Sequence, residues 1–286
     1  MKGSVDNCFF NPYYTVSIMP EGPEVRIESN KLNRVLSGKV PDSIWFEKTS
    51  LKKKSTRLKG KKILHVTSVG KAILCCFESD YFIYSHNQLY GKWAILPAES
   101  VLDTNRIARI ILTSGTKKAV LYSASSIEIL NLDDLKKHPY ISKLGPDVLN
   151  SKVDYKMIYL RLLDKEFKNR KLAGLYLDQK FLAGIGNYLR TEILWAAGLS
   201  PFVTPAKTSE AKLKKLAKLS ISIPRRSLAK NGWTLTEVQR KQSLKEQNRF
   251  AVFAREGKKC LLCGGKISKI YISSRRLYKC DRCQPF

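Results

Sequence analysis

The chain has 286 residues, 43% of them hydrophobic, enough to bury a sizeable core and long enough to favour two domains over one. Lysine and arginine number 52 against 24 aspartates and glutamates, a formal net charge of +28, which favours a polyanionic partner, nucleic acid, over merely solvated lysine-rich faces. No unbroken apolar run approaches the ~18 residues of a bilayer span, and no basic amphipathic helix with an aromatic or leucine face stands out, which argues against a membrane partner.

Residues 1–18, MKGSVDNCFFNPYYTVSI, show neither helical periodicity nor targeting character and are expected to be an appendage. The next stretch, MPEGPEVRIES from Met19, reads like a protein start set inside the chain. From Glu24 to Leu36 the apolar residues Val25, Leu32, Val35 and Leu36 are spaced for one helix face, and Gly38 supplies a stop. Between Gly60 and Ser123 the period changes to short β-prone runs, ILHVTSV, KAILCCFES, YFIYSH, KWAIL, RIARIIL and AVLYS, parted by Gly, Ser, Asp or Asn. That pattern predicts a β-sandwich or barrel. Adjacent Cys75 and Cys76 in one such run face opposite ways and read as buried structural thiols.

Strand signals stop near LKKHPYISKLGPDVL, so a domain boundary is expected around residues 135–150, and helical patterns begin at KVDYKMIYLRLLDKEF. In LAGLYLDQKFLAGIGNYLRTEILWAAGLSP the Gly184-Ile185-Gly186-Asn187 turn parts two apolar-periodic segments, a helix-turn-helix-like unit. Glycines there let a duplex backbone come close, and the amides opening the second helix, with the Asn187 side chain, suit a phosphate. A plain αα-hairpin with glycine as C-cap fits the same spacing. The segment TSEAKLKKLAKLSISIPRRSLAKNGW is lysine-rich and fits either a phosphate-tracking face or a solvated one.

The seven cysteines are an odd count with no cleavable apolar segment at the start, which argues against a secreted disulfide scaffold and for a reducing, intracellular compartment. Four of them form Cys260-x2-Cys263, sixteen residues, then Cys280-x2-Cys283. Two such knuckles suit a four-thiolate zinc site on a β-ribbon, where the ion supplies folding energy that so short a segment lacks in a core. A closed four-cysteine site keeps no open coordination position, so its zinc is structural. Between the knuckles ISKIYISSRRLYK alternates as a hairpin, with Arg275 and Arg276 toward its far end.

In this order PEGPE, GKKILHVTSVGKAIL, YSHNQLYGKW, HPYISKLGPDVL, LDQKFLAGIGNYLRTEILWAAGLSP and SSRRLYKCDRCQ resemble the endonuclease VIII branch of the formamidopyrimidine-DNA glycosylase family, from Met19 to the C-terminus. The resemblance implies an α+β multidomain fold. An N-terminal β-sandwich with an initial helix is expected over 19–143, a helix-two-turn-helix DNA-binding domain over 144–249 and a four-cysteine zinc finger over 250–286. Residues 1–18 stand outside the active protein.

The activity implied is that of a base-excision-repair DNA glycosylase with abasic-site lyase activity, acting as a monomer, mainly on damaged duplex DNA inside the cell. In the family the nucleophile is the secondary amine of an N-terminal proline, and Pro20 is the matching position once Met19 is removed. A terminal amine with a reference pKa of about 8 is partly neutral and nucleophilic near pH 7. Inside a peptide bond the same nitrogen is delocalised into the carbonyl and cannot attack. A chain that retains residues 1–18 is then expected to be a zinc-ribbon DNA-binding relative without glycosylase activity.

By the same resemblance Glu21 is the carboxyl group that shuttles protons, Glu24 a supporting carboxylate and Lys71 the catalytic lysine of a β-hairpin. Asn187 and Arg275 match a pair that grips phosphates either side of the lesion. Gln88, Leu89 and Tyr90 match the wedge that fills the gap left by an extruded base. QLY resembles the pyrimidine-preferring branch, and residues 229–250 lack a glycine-rich capping loop, so oxidised pyrimidines are expected first and formamidopyrimidines second. His65, His86 and His138 are not spaced as a zinc or triad set, and His86 reads as a structural hydrogen-bonding residue.

Overall fold

The structure is a computed structural model that describes residues 19–102, 105–243 and 248–285. The 1–18 appendage and its Cys8 lie outside the described residues. Helix α1 (Gly22–Leu36) opens the fold, with Pro23 in its first turn, where no amide partner is needed, and Glu24 and Arg34 placed to suit the helix dipole. Val25, Leu32 and Leu36 form its buried face, and Val35 packs against it.

After α1 come β1 (Ser43–Phe46), α2 (Thr49–Ser55), β2 (Ile63–Val69), β3 (Ala72–Phe77), β4 (Tyr81–His86), β5 (Lys92–Pro97), β6 (Ala108–Ser114), β7 (Lys117–Tyr122), β8 (Ser126–Asn131) and α3 (Leu132–Lys137). The strands form two antiparallel four-stranded sheets, ordered β1-β6-β7-β5 and β2-β3-β4-β8. Sequence periodicity passed over β1 and β8: the first has four residues, three of them not buried, and the second runs directly into α3.

Phe46, Ile110, Leu112 and Leu121 of one sheet meet Val66, Ile73, Cys75, Phe77 and Ile83 of the other, with the α1 face beside them. Each such side chain contributes roughly 1.5–3 kcal/mol relative to exposure. Strand β3 is buried on both faces. Its Ala72, Leu74 and Cys76 enter a second cluster beneath Leu135, Tyr140 and Ile141, so Cys75 and Cys76 point into different cores.

The helical half contains α4 (Tyr155–Leu163), α5 (Leu172–Leu175), α6 (Asn187–Ala197), α7 (Glu210–Ala229) and α8 (Glu237–Ser243). Helix α6 is buried almost all round, which makes it the core helix of this half. The first apolar segment before the glycine turn is helical for one turn only. Beyond it the side chains of Asp178 and Gln179 capture backbone groups of Lys180, Gly184 and Ile185 at 2.8–3.0 Å, diverting the chain into turns. In α7 Leu213, Leu216 and Ala217 face inward while Lys212, Lys214, Lys215 and Lys218 are exposed. Lys214 and Lys218 cover the rings of Tyr159 and Tyr155.

Strands β9 (Ile267–Ile272) and β10 (Arg275–Cys280) make the C-terminal hairpin. Its two-residue turn, Ser273 and Ser274, holds both residues at positive φ, 50° and 61°, although neither is glycine or asparagine. Gln284 ties this unit to the helical half, accepting from the Cys280 amide at 3.1 Å and donating to the Leu199 carbonyl at 2.9 Å. Among the described residues no helix is long and apolar enough to cross a membrane.

Candidate active site

The start of α1 and the start of α6 meet backbone to backbone. The Gly22 amide donates to the Gly184 carbonyl at 2.8 Å, and a Cβ on Gly22 would lie 3.0 Å from that oxygen. This approach delivers Glu21, the residue before α1, to the open amides of α6. Its carboxyl group accepts from Gly186 N–H and Tyr188 N–H at 2.7 Å each and from Leu189 N–H at 3.2 Å. A Cβ on Gly186 would stand 2.4 Å from the Glu21 carboxyl carbon, so glycine is what leaves room for it. Burial pushes the Glu21 pKa up to about 7, against the pull of Lys71 and of the α6 amides. Pro20 precedes it, half-buried.

Glu24 lies one turn along α1. Its carboxylate accepts from the Glu21 amide at 3.2 Å, from Tyr188 Oη at 2.9 Å and from Arg249 Nη1 at 3.2 Å. Lys71 occupies the β2–β3 turn. That turn is pinned from the domain junction: the Gly70 amide donates to Asp147 Oδ2 at 2.9 Å and the Lys71 amide to Tyr140 Oη at 3.0 Å. Burial lowers the Lys71 pKa, Glu21 opposes that shift and Arg275 reinforces it. Lys71 is therefore desolvated among the charges of Glu21, Glu24 and Arg275. His86 sits nearby with its pKa lowered to about 4 by burial and by Lys71, and its Nδ1 accepts from the Gln88 amide at 3.1 Å. That bond sets the ring at the foot of the β4–β5 loop as an acceptor.

From the opposite side come α6 and the hairpin. Asn187 Nδ2 donates to the Arg276 carbonyl at 2.8 Å, and its Oδ1 accepts from Arg190. Arg190 is fully buried and donates also to the carbonyls of Arg276 and Ala173. Burial, reinforced by Arg275 and opposed by Glu21, lowers its pKa to about 10. Arg275 itself, next to the strained serine turn, is exposed. Thus Glu21, Glu24, Lys71, Asn187 and Arg275 converge on one junction. Gln88, Leu89 and Tyr90 stand apart on the β4–β5 loop, all exposed, Tyr90 to 70%.

The Sγ atoms of Cys260, Cys263, Cys280 and Cys283 lie within 4.8 Å of one another, with Cys260–Cys283 at 3.8 Å and Cys263–Cys280 at 3.4 Å. Four sulfurs about 2.3 Å from one ion define a tetrahedron with edges of about 3.8 Å, so the set fits a tetrahedral metal ion. Trp195 of α6 donates its Nε1–H to Cys260 Sγ at 3.3 Å, linking the cluster to the helical half.

Two family models match, the formamidopyrimidine-DNA glycosylase N-terminal domain over residues 19–124 and the formamidopyrimidine-DNA glycosylase H2TH domain over residues 144–239. Endonuclease 8 of Klebsiella pneumoniae is 41% identical over 266 residues, 93% of this chain and 100% of its own. Endonuclease 8 of Pectobacterium atrosepticum is 42% identical over the same shares. The chain belongs to the formamidopyrimidine-DNA glycosylase family. Its relatives set it on the endonuclease VIII branch, among the DNA glycosylases of base excision repair. The Lactococcus lactis glycosylase in complex with DNA containing an abasic site shares the fold at a TM-score of 0.79 and 20% identity, over 93% of this chain and 100% of that one.

Several residues that build this glycosylase junction escaped the sequence reading. Tyr140 and Asp147 lie in HPYISKLGPDVL, a motif that marked the boundary and carried part of the resemblance but was given no site residue, and they hold the Lys71 turn. Arg190 and Glu192, on which the sequence reading was silent, are both buried. The Glu192 carboxylate accepts from the amides of Ala251, Val252 and Phe253 at 2.8–2.9 Å and from Thr234 Oγ1 at 2.7 Å. A charged residue at a core position of the α6 period was the available signal.

Proposed function

We propose that this chain excises oxidised pyrimidines from duplex DNA and then cuts the strand, through a Schiff base at Pro20 after removal of Met19. The neutral Pro20 amine attacks C1′ of the damaged nucleotide. The N–C1′ bond forms as the bond to the base breaks, the base leaves with a proton, and the sugar ring opens to leave an iminium. Loss of the C2′ proton then sends its electron pair into a C2′–C3′ double bond and expels the 3′ phosphate, and loss of the C4′ proton sends its pair into a C4′–C5′ double bond and expels the 5′ phosphate by δ-elimination. Glu21 gives a proton to the opening sugar and takes the one from C2′, a double role that suits a carboxyl titrating near neutrality. Glu24 supports Glu21. Lys71, Asn187 and Arg275 bind the phosphates and sugar of the flipped nucleotide, Arg275 through its planar fork.

The observation that carries this reading is the Glu21 carboxyl, seated on three amides of α6 with its pKa near 7, directly after Pro20 and in the field of Lys71. Gln88, Leu89 and Tyr90 act as the wedge, which serves only where a base stack must be refilled, hence duplex DNA; the enzyme acts as a monomer by its resemblance to the family. The four cysteines hold zinc, which supplies a fixed tetrahedral node for the hairpin that carries Arg275. The corresponding domain division is 19–143, 144–249 and 250–286.

The test is borohydride trapping on an oligonucleotide with one thymine glycol, comparing chains that begin at Met1 and at Met19, each N-terminus read by intact mass. A covalent adduct mapped to Pro20 in the Met19 chain is expected. No adduct from a verified free proline with a folded finger would leave a DNA-binding relative without glycosylase activity. The peptide bond that precedes Pro20 in a chain keeping residues 1–18 predicts that inactive behaviour for the Met1 form.

A further inference from the structure

The wedge loop is held at both of its feet by one side chain. Glu28, two turns along α1 from Glu21, accepts from Asn87 Nδ2 at 2.5 Å through Oε2 and from the Trp93 amide at 2.7 Å through Oε1. Asn87 is the residue before Gln88-Leu89-Tyr90, and Trp93 follows them after Gly91 and Lys92. The loop is closed across its base by the Gly91 amide, which donates to the Asn87 carbonyl at 2.7 Å. Strand β5 lies at the edge of its sheet, so a Trp93 amide turned outward has no neighbouring strand to pair with. Glu28 supplies the missing acceptor. Trp93 is fixed a second time by its ring N–H, which donates to Ser85 Oγ at 3.2 Å.

Geometry makes this arrangement more than a local brace. Glu21, the N-cap of α1, Glu24 and Glu28 follow i, i+3, i+7 spacing, and α1 is one continuous helix whose rise from Glu24 to Glu28 is about 6 Å. The helix that sets the position of the Glu21 carboxyl at one end therefore sets the position of the wedge through Glu28. The half-buried Glu28 carboxylate also lies toward Lys92 and Lys31, and its pKa is raised by burial against the pull of its two hydrogen bonds and those lysines. A carboxylate taken partly out of water and paired with two donors of one loop is directional, which a solvated helix glutamate is not.

We infer that Glu28 is a positioning residue for base extrusion: it holds the Gln88–Tyr90 wedge at a fixed offset from the catalytic carboxyl group. This rests on the wedge assignment made above. The sequence carries no signal for it, because Glu28 falls on the polar face of an amphipathic helix and its partners are some sixty residues away.

The test uses the chain beginning at residue 20 and a duplex with a tetrahydrofuran abasic-site analogue opposite 2-aminopurine, whose fluorescence rises when the stack opens. Wild-type protein at saturation is expected to raise the fluorescence. Glu28→Ala is expected to lower that amplitude at least about threefold while its affinity for the duplex shifts less than about threefold, the signature of displaced rather than lost contacts. Asn87→Ala, which releases one foot only, should lower the amplitude less, and the double variant should be no worse than Glu28→Ala, which already breaks both bonds. Thermal unfolding of each variant guards against a general loss of fold. Glu28→Gln, which keeps one acceptor oxygen for the Trp93 amide, is expected between wild type and Ala. Wild-type amplitude from both Glu28→Ala and Asn87→Ala at saturation would overturn the proposal. No rise with saturating wild-type protein would overturn the wedge assignment beneath it, even if excision of a lesion proceeds.

Discussion

Two glutamates are buried against backbone amides of the helical half, and they differ in where they come from. Glu192 belongs to α6 and gathers amides 251–253 with Thr234, all from its own half of the molecule. Glu21 arrives from the other half and receives the first amides of α6 itself. Glu192 fastens the segment that leads to the finger. Glu21 spans the junction between sandwich and helices, where burial raises its pKa to about 7 and Lys71 and Arg275 contribute to the field. A similar amide cradle thus serves folding when its donors are local and holds a carboxyl group of raised pKa at the junction when they are shared between halves.

The largest expected effect lies on the Glu21 side. In a chain that starts at residue 20, Glu21→Gln or Pro20→Gly is expected to reduce thymine glycol excision by at least about 100-fold, with duplex affinity little changed. Single-turnover excision and a binding titration measure the two separately, and excision retained by both variants would sink the mechanism. Glu21 also predicts a pH dependence of stability. Between an ordinary 4.5 and about 7 the folded chain keeps a proton that the unfolded chain has released, so stability declines as pH rises through that window. Urea midpoints at several pH values should show this slope in wild type and lose that part of it in Glu21→Gln.

The Glu192 side should respond in the opposite sense. Glu192→Ala leaves three amides and a hydroxyl without their acceptor and is expected to destabilise the fold by about 3–5 kcal/mol. Chemical denaturation reads the loss. Stability unchanged by this variant would erase the distinction between the two cradles.

Legibility followed the same division. The finger was readable because its ligands are local: two Cys-x2-Cys knuckles fix the ion site without reference to the rest of the chain. Most strands were readable from runs of β-branched and aromatic residues, whereas β1 and β8 were too short or too continuous with a helix to show a period. Lys71 and Glu21 emerged only from resemblance, since a lysine at a turn and a glutamate before a helix are ordinary surface residues by pattern. Their distinction comes from Tyr140, Asp147 and the α6 amides, which are brought to them by tertiary packing. Arg190 and Glu192 were hidden for the same reason: periodicity assigns charge to the outside, and α6 has almost no outside.

The finger extends the comparison to binding. Arg275 is exposed beside a turn whose two serines sit at positive φ. Arg275→Ala is expected to weaken duplex affinity by about 1.5–3 kcal/mol, alike for all sequences, and to reduce the slope of log affinity against log salt by about 1. A loss confined to one sequence context would mean that Arg275 reads bases rather than phosphates.

The smallest effect is expected where the helical half supports the finger. Trp195 donates its ring N–H to Cys260 Sγ at 3.3 Å, and a thiolate that accepts a hydrogen bond holds its charge more easily beside a metal ion. Trp195→Phe keeps the apolar contact and removes only the donor, so it is expected to weaken metal retention by about 1 kcal/mol, roughly fivefold in a chelator competition, with excision unchanged at saturating zinc. The direction matters more than the size. If Trp195→Phe left retention unchanged while replacing Cys260 itself released the metal, the link from α6 to the finger would rest on packing and on Gln284 alone, and the finger would count as a separately folded unit carrying Arg275 to the junction.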